Sequence, residues 1–412
     1  LDLLEHLAEW VDDAPMLVLA LARPEIREIR PSLATEGRLV QAAIALEGLD
    51  ADATAELAAR LVGAAELPAE LIGRLPQSTE GNPLFVRELM RMLVDDGVIV
   101  ESETAWELTI EADAVEVPPT IQSLLSARLD RMPPDERRLV ELASVVGSEF
   151  PLGAVLAVSE PGTSMHSLRG AMDRLRRREL VESAGRYRGD EPVFRFHHVL
   201  IRDAAYRRLL KRRRADLHTR IGEWTERTAV DLPGEHEAPI AFHFEQAFAY
   251  RRELSDLDEE AADLGRRAAG LLRIAAERAL DRDDIAAAGA LVERAVACLD
   301  AGEPELSDLL MLGCEALLSL GDVPRSRSLV AALAELGGDD RQAAWTSCFE
   351  AQLTVLTEPG ALHDVLRRLD SAADRLAGWG DDAGVAKARL VRAGALARLG
   401  RIGESESELD LA

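Results

Sequence analysis

Apolar positions near the start of the chain follow first a helical and then a strand-like spacing. Residues recur at helical spacing over Leu3–Val11, which predicts a helix. The run Met16–Ala22 is continuously apolar, which is typical of a strand covered on both faces in a parallel sheet. A second strand is predicted over Leu39–Leu46. Because two strands cannot form such a sheet alone, residues 1–50 are interpreted as the C-terminal part of an α/β domain, with its earlier strands expected upstream.

From residue 51 the apolar spacing becomes mainly helical, and the chain is predicted to be mainly α. Residues 51–116 are predicted to form a small helical subdomain. One of its helices has a clear start, because Asn82 is a good N-cap and Pro83 suits the first helical position. Its predicted elements are helices over Ala53–Val62 and Pro68–Leu75, a helix from Pro83 to Gly97, and a hairpin over Val98–Leu108.

Residues 117–230 have a pattern of helices followed by a two-stranded wing, and three helices with such a wing are typical of a winged-helix domain. The strand-like segments flank a turn-rich stretch, and two further helices follow. The predicted elements are helices over Thr120–Arg131, Pro134–Val146, Leu152–Val158 and Ser164–Arg178, strands over Leu180–Ser183 and Val193–Phe196, and helices over His198–Leu210 and Ala215–Thr228.

Residues 231–412 contain an internal repeat. A turn residue is followed by small or apolar residues at fixed offsets in four segments, in which Ala288, Ser326, Val365 and Ser405 correspond and lie 38, 39 and 40 residues apart. This pattern matches the second helix of a tetratricopeptide-like pair, with a period slightly above the usual ~34 residues. It predicts an α-solenoid with a concave surface for a ligand or partner, whose last repeat is incomplete at Ala412.

Composition and charge narrow the classes of function. The chain has 412 residues and a net charge of −26, which disfavours nucleic acid and anionic membranes as partners. No apolar run reaches the ~18 residues of a membrane span, and the N-terminus lacks the features of a secretory signal. Three cysteines in so long a chain are not a disulfide framework, so a reducing, cytoplasmic location is expected.

The lysine content excludes one common site from this sequence. Only two of the 48 basic residues are lysines, Lys211 and Lys387, and neither follows glycine. A phosphate-binding P-loop requires Gly-Lys-Ser/Thr, because the ammonium group reaches the β- and γ-phosphates. We therefore expect no complete catalytic site. The histidines lack the spacing of a zinc site as well, since His243 follows His236-Glu237 too late for a His-Glu-x-x-His helix site.

Three residues are candidates for ligand contact, and each also has a purely structural interpretation. Arg23 follows an apolar strand, where α/β sheets bind ligands and where a guanidinium group could contact a phosphate; it could equally be a solvated loop residue. Pro83 could pack on a nucleotide base or simply begin a helix. His198 begins a helix whose N–H groups favour an anion, or it could be a half-buried, hydrogen-bonded histidine.

A basic stretch leaves two interpretations open. Residues 166–221 contain sixteen Arg or Lys against seven Asp or Glu, and Arg176–Arg178 end the helix that reads DNA in many winged helices. The stretch could contact DNA, as in a LuxR-type transcriptional regulator. It lacks accompanying aromatic or amide side chains, however, and docking against an acidic neighbouring domain explains the same charge. We favour the second interpretation and consider DNA an improbable partner.

Several segments together resemble the STAND class of signalling ATPases, in the same order along the chain. The resemblance is strongest to the bacterial subgroup fused to class III adenylate/guanylate cyclases, and it extends over nearly all residues. It is carried by Leu19–Glu25 (LALARPE), Glu80–Phe85 (EGNPLF), Val117–Asp130 (VPPTIQSLLSARLD), Phe194–Tyr206 (FRFHHVLIRDAAY) and Ala241–Ala247 (AFHFEQA).

This resemblance implies roles for the three candidates. Arg23 would correspond to the sensor-1 arginine, Pro83 to the proline that packs on adenine, and His198 to the winged-helix histidine that meets the β-phosphate of ADP. Residues 1–50 would belong to the P-loop ATPase sheet and residues 51–116 to its helical lid. The P-loop would lie before Leu1, so ATP or ADP, with Mg²⁺, is expected as cofactor of an intact parent and is not expected to bind tightly to this chain alone.

The resemblance also implies a function as a regulatory fragment. Nucleotide state and a protein or small molecule bound to the repeats would control an attached output domain, for which a nucleotide cyclase is the first candidate. Two alternatives remain open, the transcriptional regulator named above and a helical-repeat scaffold that binds proteins without a nucleotide.

Overall fold

The computed structural model describes residues 19–31, 44–63, 67–102, 106–110, 118–187, 191–229 and 236–412. The chain forms two compact units, residues 1–128 and residues 129–412. The predicted helix over Leu3–Val11 lies outside the described residues. The predicted domain boundary near residue 230 lies inside the second unit.

The first described segment does not form the predicted strand. Residues 19–23 have no regular secondary structure, and Leu19 and Leu21 are 83% and 87% exposed. Only a single turn of helix follows, α1 (Ile26–Ile29). A fully apolar strand is stable only where neighbouring strands bond its backbone and cover its faces. Among the described residues no strand pairs with this segment, so the strand prediction is wrong for residues 19–22.

The second predicted strand fails in the same way where it is described. Residues 44–50 are irregular, and Ile44 and Leu46 are largely exposed. The described part of residues 1–50 therefore contains no β-sheet.

The helical subdomain of the first unit is closer to the prediction. It contains α2 (Ala51–Val62), α3 (Ala69–Thr79), α4 (Pro83–Asp95) and a hairpin of β1 (Ile99–Glu101) and β2 (Trp106–Leu108). Helix α3 continues through Pro76, whereas the sequence predicted an end at Leu75. The core includes buried residues from each helix, among them Ala58, Leu75, Leu89 and Met90.

Helix α5 (Ile121–Asp130) leads into a small α/β section at the start of the second unit. Its sheet has three antiparallel strands in the order β3-β5-β4, one more than the two predicted. Phe150 on the additional strand packs against Phe194 and Phe196 on β5, which closes the core. The elements are α6 (Pro134–Val146), β3 (Glu149–Pro151), α7 (Leu152–Val158), α8 (Met165–Arg177), β4 (Val181–Tyr187) and β5 (Glu191–Phe196).

The rest of the described chain is helical, as predicted, and each long helix from α10 onward packs against the next. The helices are α9 (Val199–Arg208), α10 (Lys211–Ala229), α11 (Glu237–Glu253), α12 (Glu259–Asp281), α13 (Ile285–Val296), α14 (Glu305–Leu320), α15 (Val323–Leu336), α16 (Asp340–Thr357), α17 (Leu362–Gly378), α18 (Asp382–Arg398) and α19 (Ile402–Asp410), with one 3₁₀ turn before α17.

The repeat read from the sequence is confirmed by burial. Its four corresponding residues, Ala288, Ser326, Val365 and Ser405, are all buried. Each lies near the start of the second helix of a pair, in α13, α15, α17 and α19. The close approach of the pairs needs small residues. A Cβ at Gly313 would lie 2.6 Å from Leu329. The mainly helical, tetratricopeptide-like architecture is thus built from successive helix pairs that bury corresponding small or apolar residues.

Candidate functional site

The turn before α4 is held by a close backbone crossing. The amide of Leu49 donates to the carbonyl of Gly81 at 2.8 Å. Gly81 has a φ of +67°, and a Cβ there would lie 2.2 Å from the carbonyl oxygen of Leu49. Only glycine fits both the left-handed backbone and this contact. This contact holds the backbone around Leu49 against the turn that precedes α4.

Pro83 occupies the first position of α4, as predicted. The side chain of Asn82 accepts hydrogen bonds from the amides of Leu84 at 3.0 Å and Phe85 at 3.3 Å, which caps the helix. Phe85 is buried below, whereas Pro83 is exposed. The turn therefore presents a rigid apolar ring at the surface, beside a helix N-terminus.

Arg23 is exposed in the irregular segment before α1. Its carbonyl accepts from the amide of Ile26 at 3.1 Å, which starts the short helix. Arg23 and Pro83 belong to the first unit, and His198 belongs to the second.

His198 is the N-cap of α9 and lies two residues after the end of strand β5. The amide of Leu200 donates to its Nδ1 at 3.1 Å. A neutral imidazole that accepts at Nδ1 carries its proton on Nε2. The side chain is half-buried, and the helix N-terminus adds a favourable field for an anion. The structure thus gives His198 a capping role together with a defined N–H donor.

The basic stretch forms ion pairs within the chain. Helix α8 places Arg174 against Glu136 at 2.6 Å, and Arg178 is 3.1 Å from the other oxygen of that carboxylate. At the start of α10, Lys211 lies 2.8 Å from Glu253 and Arg212 lies 3.3 Å from Asp256. A further pair joins Arg176 to Asp173. These contacts fit the intramolecular interpretation of the basic charge.

A buried polar cluster was missed by the sequence reasoning. His218 and His243 lie 1% and 7% exposed between α10 and α11, with ring nitrogens 2.9 Å apart. Desolvation by burial lowers the pKa of both, that of His243 to about 4. The hydroxyl of Tyr206, on α9, contacts His218 at 2.9 Å. The sequence feature that could have indicated this cluster is the concentration of histidines, since five of the eight fall within residues 197–243.

A second buried pair was missed in the first unit. Glu88 on α4 is fully buried, and its Oε2 accepts from Arg128 of α5 at 2.5 Å. Arg87 and Arg91 lie 3.4 and 3.5 Å from the same carboxylate. This carboxylate attaches α5 to the helix that begins at Pro83. A charged residue within the apolar stripe of α4 was the available signal.

Other chemistries find little support in the described part of the chain. It contains no group of three His, Cys, Asp or Glu arranged to hold a metal ion. No described helix is both long enough and apolar enough to cross a bilayer. Cys298, Cys314 and Cys348 are buried free thiols. Burial raises the pKa of each to about 12, so they stay protonated at neutral pH.

Comparisons with known proteins give two findings. A family model described as a domain of unknown function (DUF8739) matches residues 50–105, the helical subdomain of the first unit. Among solved structures, the chain is similar to a Signal Transduction ATPase with Numerous Domains (STAND) protein with a tetratricopeptide repeat sensor from Pyrococcus horikoshii. The identity is 12% and the TM-score 0.32, over 90% of this chain and 55% of that one. The chain thus spans about half the length of that protein. A TM-score of this size does not establish a common fold. No curated protein matches the sequence.

Proposed function

We propose that this chain is the regulatory part of a STAND-class signalling ATPase. The observation that carries the proposal is the ordered set of motifs, from Leu19–Glu25 through Glu80–Phe85 to Phe194–Tyr206. The order of elements from α6 to β5, with the first strand added to a hairpin, supports a winged-helix assignment for the section that carries His198. The stacked helix pairs that follow suit a sensor for a ligand or partner.

The candidate residues fit parts of an adenine nucleotide. The exposed ring of Pro83 suits the face of a base, and the Nε2–H of His198 suits a phosphate oxygen. The exposed guanidinium group of Arg23 suits a terminal phosphate. ATP or ADP, with Mg²⁺, would provide the signal by the presence or absence of its last phosphate. Since neither lysine follows glycine, the phosphate-binding loop would come from another part of the protein.

In this proposal the repeats bind a protein or small molecule, and that binding shifts the balance between two nucleotide states. A difference in affinity between the states is required, because a ligand that binds both equally shifts nothing. The output would be an attached domain, with a nucleotide cyclase as the first candidate. Arg174, Arg178, Lys211 and Arg212 of the basic stretch pair with carboxylates of the same chain, and we propose no contact with DNA.

The test is the release of a fluorescent ADP analogue from the full-length gene product. We expect His198→Ala and His198→Asn both to weaken ADP binding about tenfold or more, because each removes a charge-assisted hydrogen bond to phosphate. Asparagine keeps the N-cap, so its effect separates phosphate contact from helix capping. His197→Ala, at the neighbouring histidine, is the matched control. Unchanged ADP affinity and release in both His198 variants would show that the assigned role is wrong.

A further inference from the structure

Five buried or half-buried side chains form a continuous hydrogen-bonded series between α9, α10 and α11. Arg214 Nη1 donates to the Tyr250 hydroxyl at 3.3 Å, and this hydroxyl lies 2.9 Å from that of Tyr206. The Tyr206 hydroxyl lies 2.9 Å from His218 Nε2, and His218 Nδ1 lies 2.9 Å from His243 Nδ1. We call these five residues the buried chain.

The arginine end favours one direction for the bonds in the buried chain. A guanidinium group can only donate, so the oxygen of Tyr250 accepts from Arg214 and its proton goes to Tyr206. The Tyr206 proton then goes to Nε2 of His218, and His218 Nδ1–H donates to His243. In the reverse direction the Tyr250 oxygen would accept from both Arg214 and Tyr206, and the Tyr250 proton would have no acceptor among these five residues. Arg214 also lies over the rings of Tyr206 and Tyr250, at 4.5 and 5.5 Å from their centroids.

Helix α9 is held largely by polar contacts. Beside the buried chain, Arg202 lies 5.8 Å from the centroid of the Tyr206 ring and donates to the carbonyl of Ser144 at 3.1 Å, which caps the C-terminal end of α6. Arg208 donates to Glu141, also on α6, at 3.2 Å. The apolar burial of α9 is small and comes from Ile201, Ala204 and Ala205. Helix α9 packs mainly against α6, and the buried chain adds a polar connection from α9 to α10 and α11.

We propose that the buried chain couples α9 to α11, so that α9, α10 and α11 open and close as one body. Breaking one of these hydrogen bonds leaves a donor or an acceptor without a partner inside the protein. The free-energy cost of such an unpaired group favours keeping the whole series intact. Since His198 is the N-cap of α9, a change there would pass to the first helices of the repeats. This last step rests on the proposed function, whereas the coupling itself does not.

Hydrogen exchange of the full 412-residue chain at neutral pH tests the coupling. Tyr206→Phe and Tyr250→Phe each remove one hydroxyl, from α9 and from α11. We expect each to speed exchange about tenfold in all three helices, including those that do not carry the substitution. Thr219→Val is the control, because its hydroxyl donates to the carbonyl of Ala215 within α10. Faster exchange confined to the substituted helix would overturn the proposal.

The direction of the bonds can be measured without any variant. Nitrogen-15 NMR of the wild-type histidines should find the proton of His218 on Nδ1 and that of His243 on Nε2. The opposite tautomers would overturn the assigned direction and with it the role of Arg214. Coupling between the helices with unchanged ADP release in the His198 variants would leave this inference standing and reject the proposed nucleotide role.

Discussion

Histidines in this protein differ in chemistry because their surroundings differ. His198 is half-buried and accepts a backbone N–H, which defines its donor nitrogen. His218 and His243 are buried together, and the charges of Arg202 and Arg214 add to the desolvation that lowers the pKa of His218. The cationic form of either ring is therefore unfavourable in the folded state. The buried pair should make stability depend on pH below neutrality.

Acidification from pH 7 to pH 5 should destabilise the fold through His243. Its pKa is about 4 in the folded chain and 6.5 ordinarily, so the unfolded state binds more protons in this range. Stability contributed by the neutral ring is present above pH 6.5 and is lost as the pH falls towards 4. The expected loss between pH 7 and pH 5 is about 2 kcal/mol. Urea unfolding at both pH values measures it.

The comparison that isolates this effect is with His243→Gln. The variant should lose less stability than the wild type over the same pH range, since the titrating ring is absent. His363→Gln removes an exposed histidine on α17 and should follow the wild type. Parallel pH dependence in the wild type and His243→Gln would contradict the prediction.

At the scale of elements, the ends of helices explain much of the local structure. Asn82, Ser164, Asp258 and Asp322 each accept from an amide in the first turn of the helix they precede. Such caps depend on residues within three positions, so they can be read from sequence. Interactions between elements join residues that are distant in sequence, and the buried pair of Glu88 and Arg128, 40 residues apart, is the clearest case.

Removal of the Glu88 carboxylate should be far more costly than removal of a surface one. Glu88→Ala leaves Arg128, 7% exposed, without its closest carboxylate, and we expect a loss of about 3–5 kcal/mol of unfolding free energy. The control Glu56→Ala breaks the exposed pair with Arg60, whose side chains are 62% and 75% exposed, and should cost less than about 0.5 kcal/mol. Chemical denaturation of both variants gives the comparison. Equal losses would show that α4 and α5 do not depend on the pair.

The same contrast, between local helix caps and contacts that join distant elements, determines how much of the fold and of the candidate site could be predicted from the sequence. The helices from α4 to α19 follow local periodicity, and their existence was largely predictable. Strand β3 was not, because its three residues become a strand only by pairing with β5. The buried chain was not, because Tyr206 and Tyr250 lie 44 residues apart and meet only after α9 to α11 pack. In the candidate site, the positions of Asn82 and His198 at the starts of helices were predictable. The hydrogen bond from the Leu200 amide to Nδ1 of His198 was not, and neither was the exposed, irregular segment that carries Arg23.

At the scale of the whole molecule, the helices from α10 to α19 form an array in which contacts are mainly between neighbours. Each helix packs against the next, and α14 and α16 also contact each other, as do α16 and α18. Stability in such an array is close to a sum of local terms and nearest-neighbour interfaces. Damage at one repeat should therefore spread to adjacent repeats and weaken with distance.

Leu333→Ala is the variant that tests this spread. Leu333 is fully buried on α15, so its truncation should cost about 2–5 kcal/mol through lost burial and a cavity. Amide exchange should accelerate most in α14, α15 and α16 and least in α10 and α11, because those two helices share no interface with α15. Leu320→Ala, at a residue 47% exposed on α14, should leave exchange near the wild-type level and serves as the control. Uniform acceleration from α10 to α19 would instead mean that the array unfolds as a single cooperative body, and a ligand on any repeat would then stabilise α10 and α11 directly.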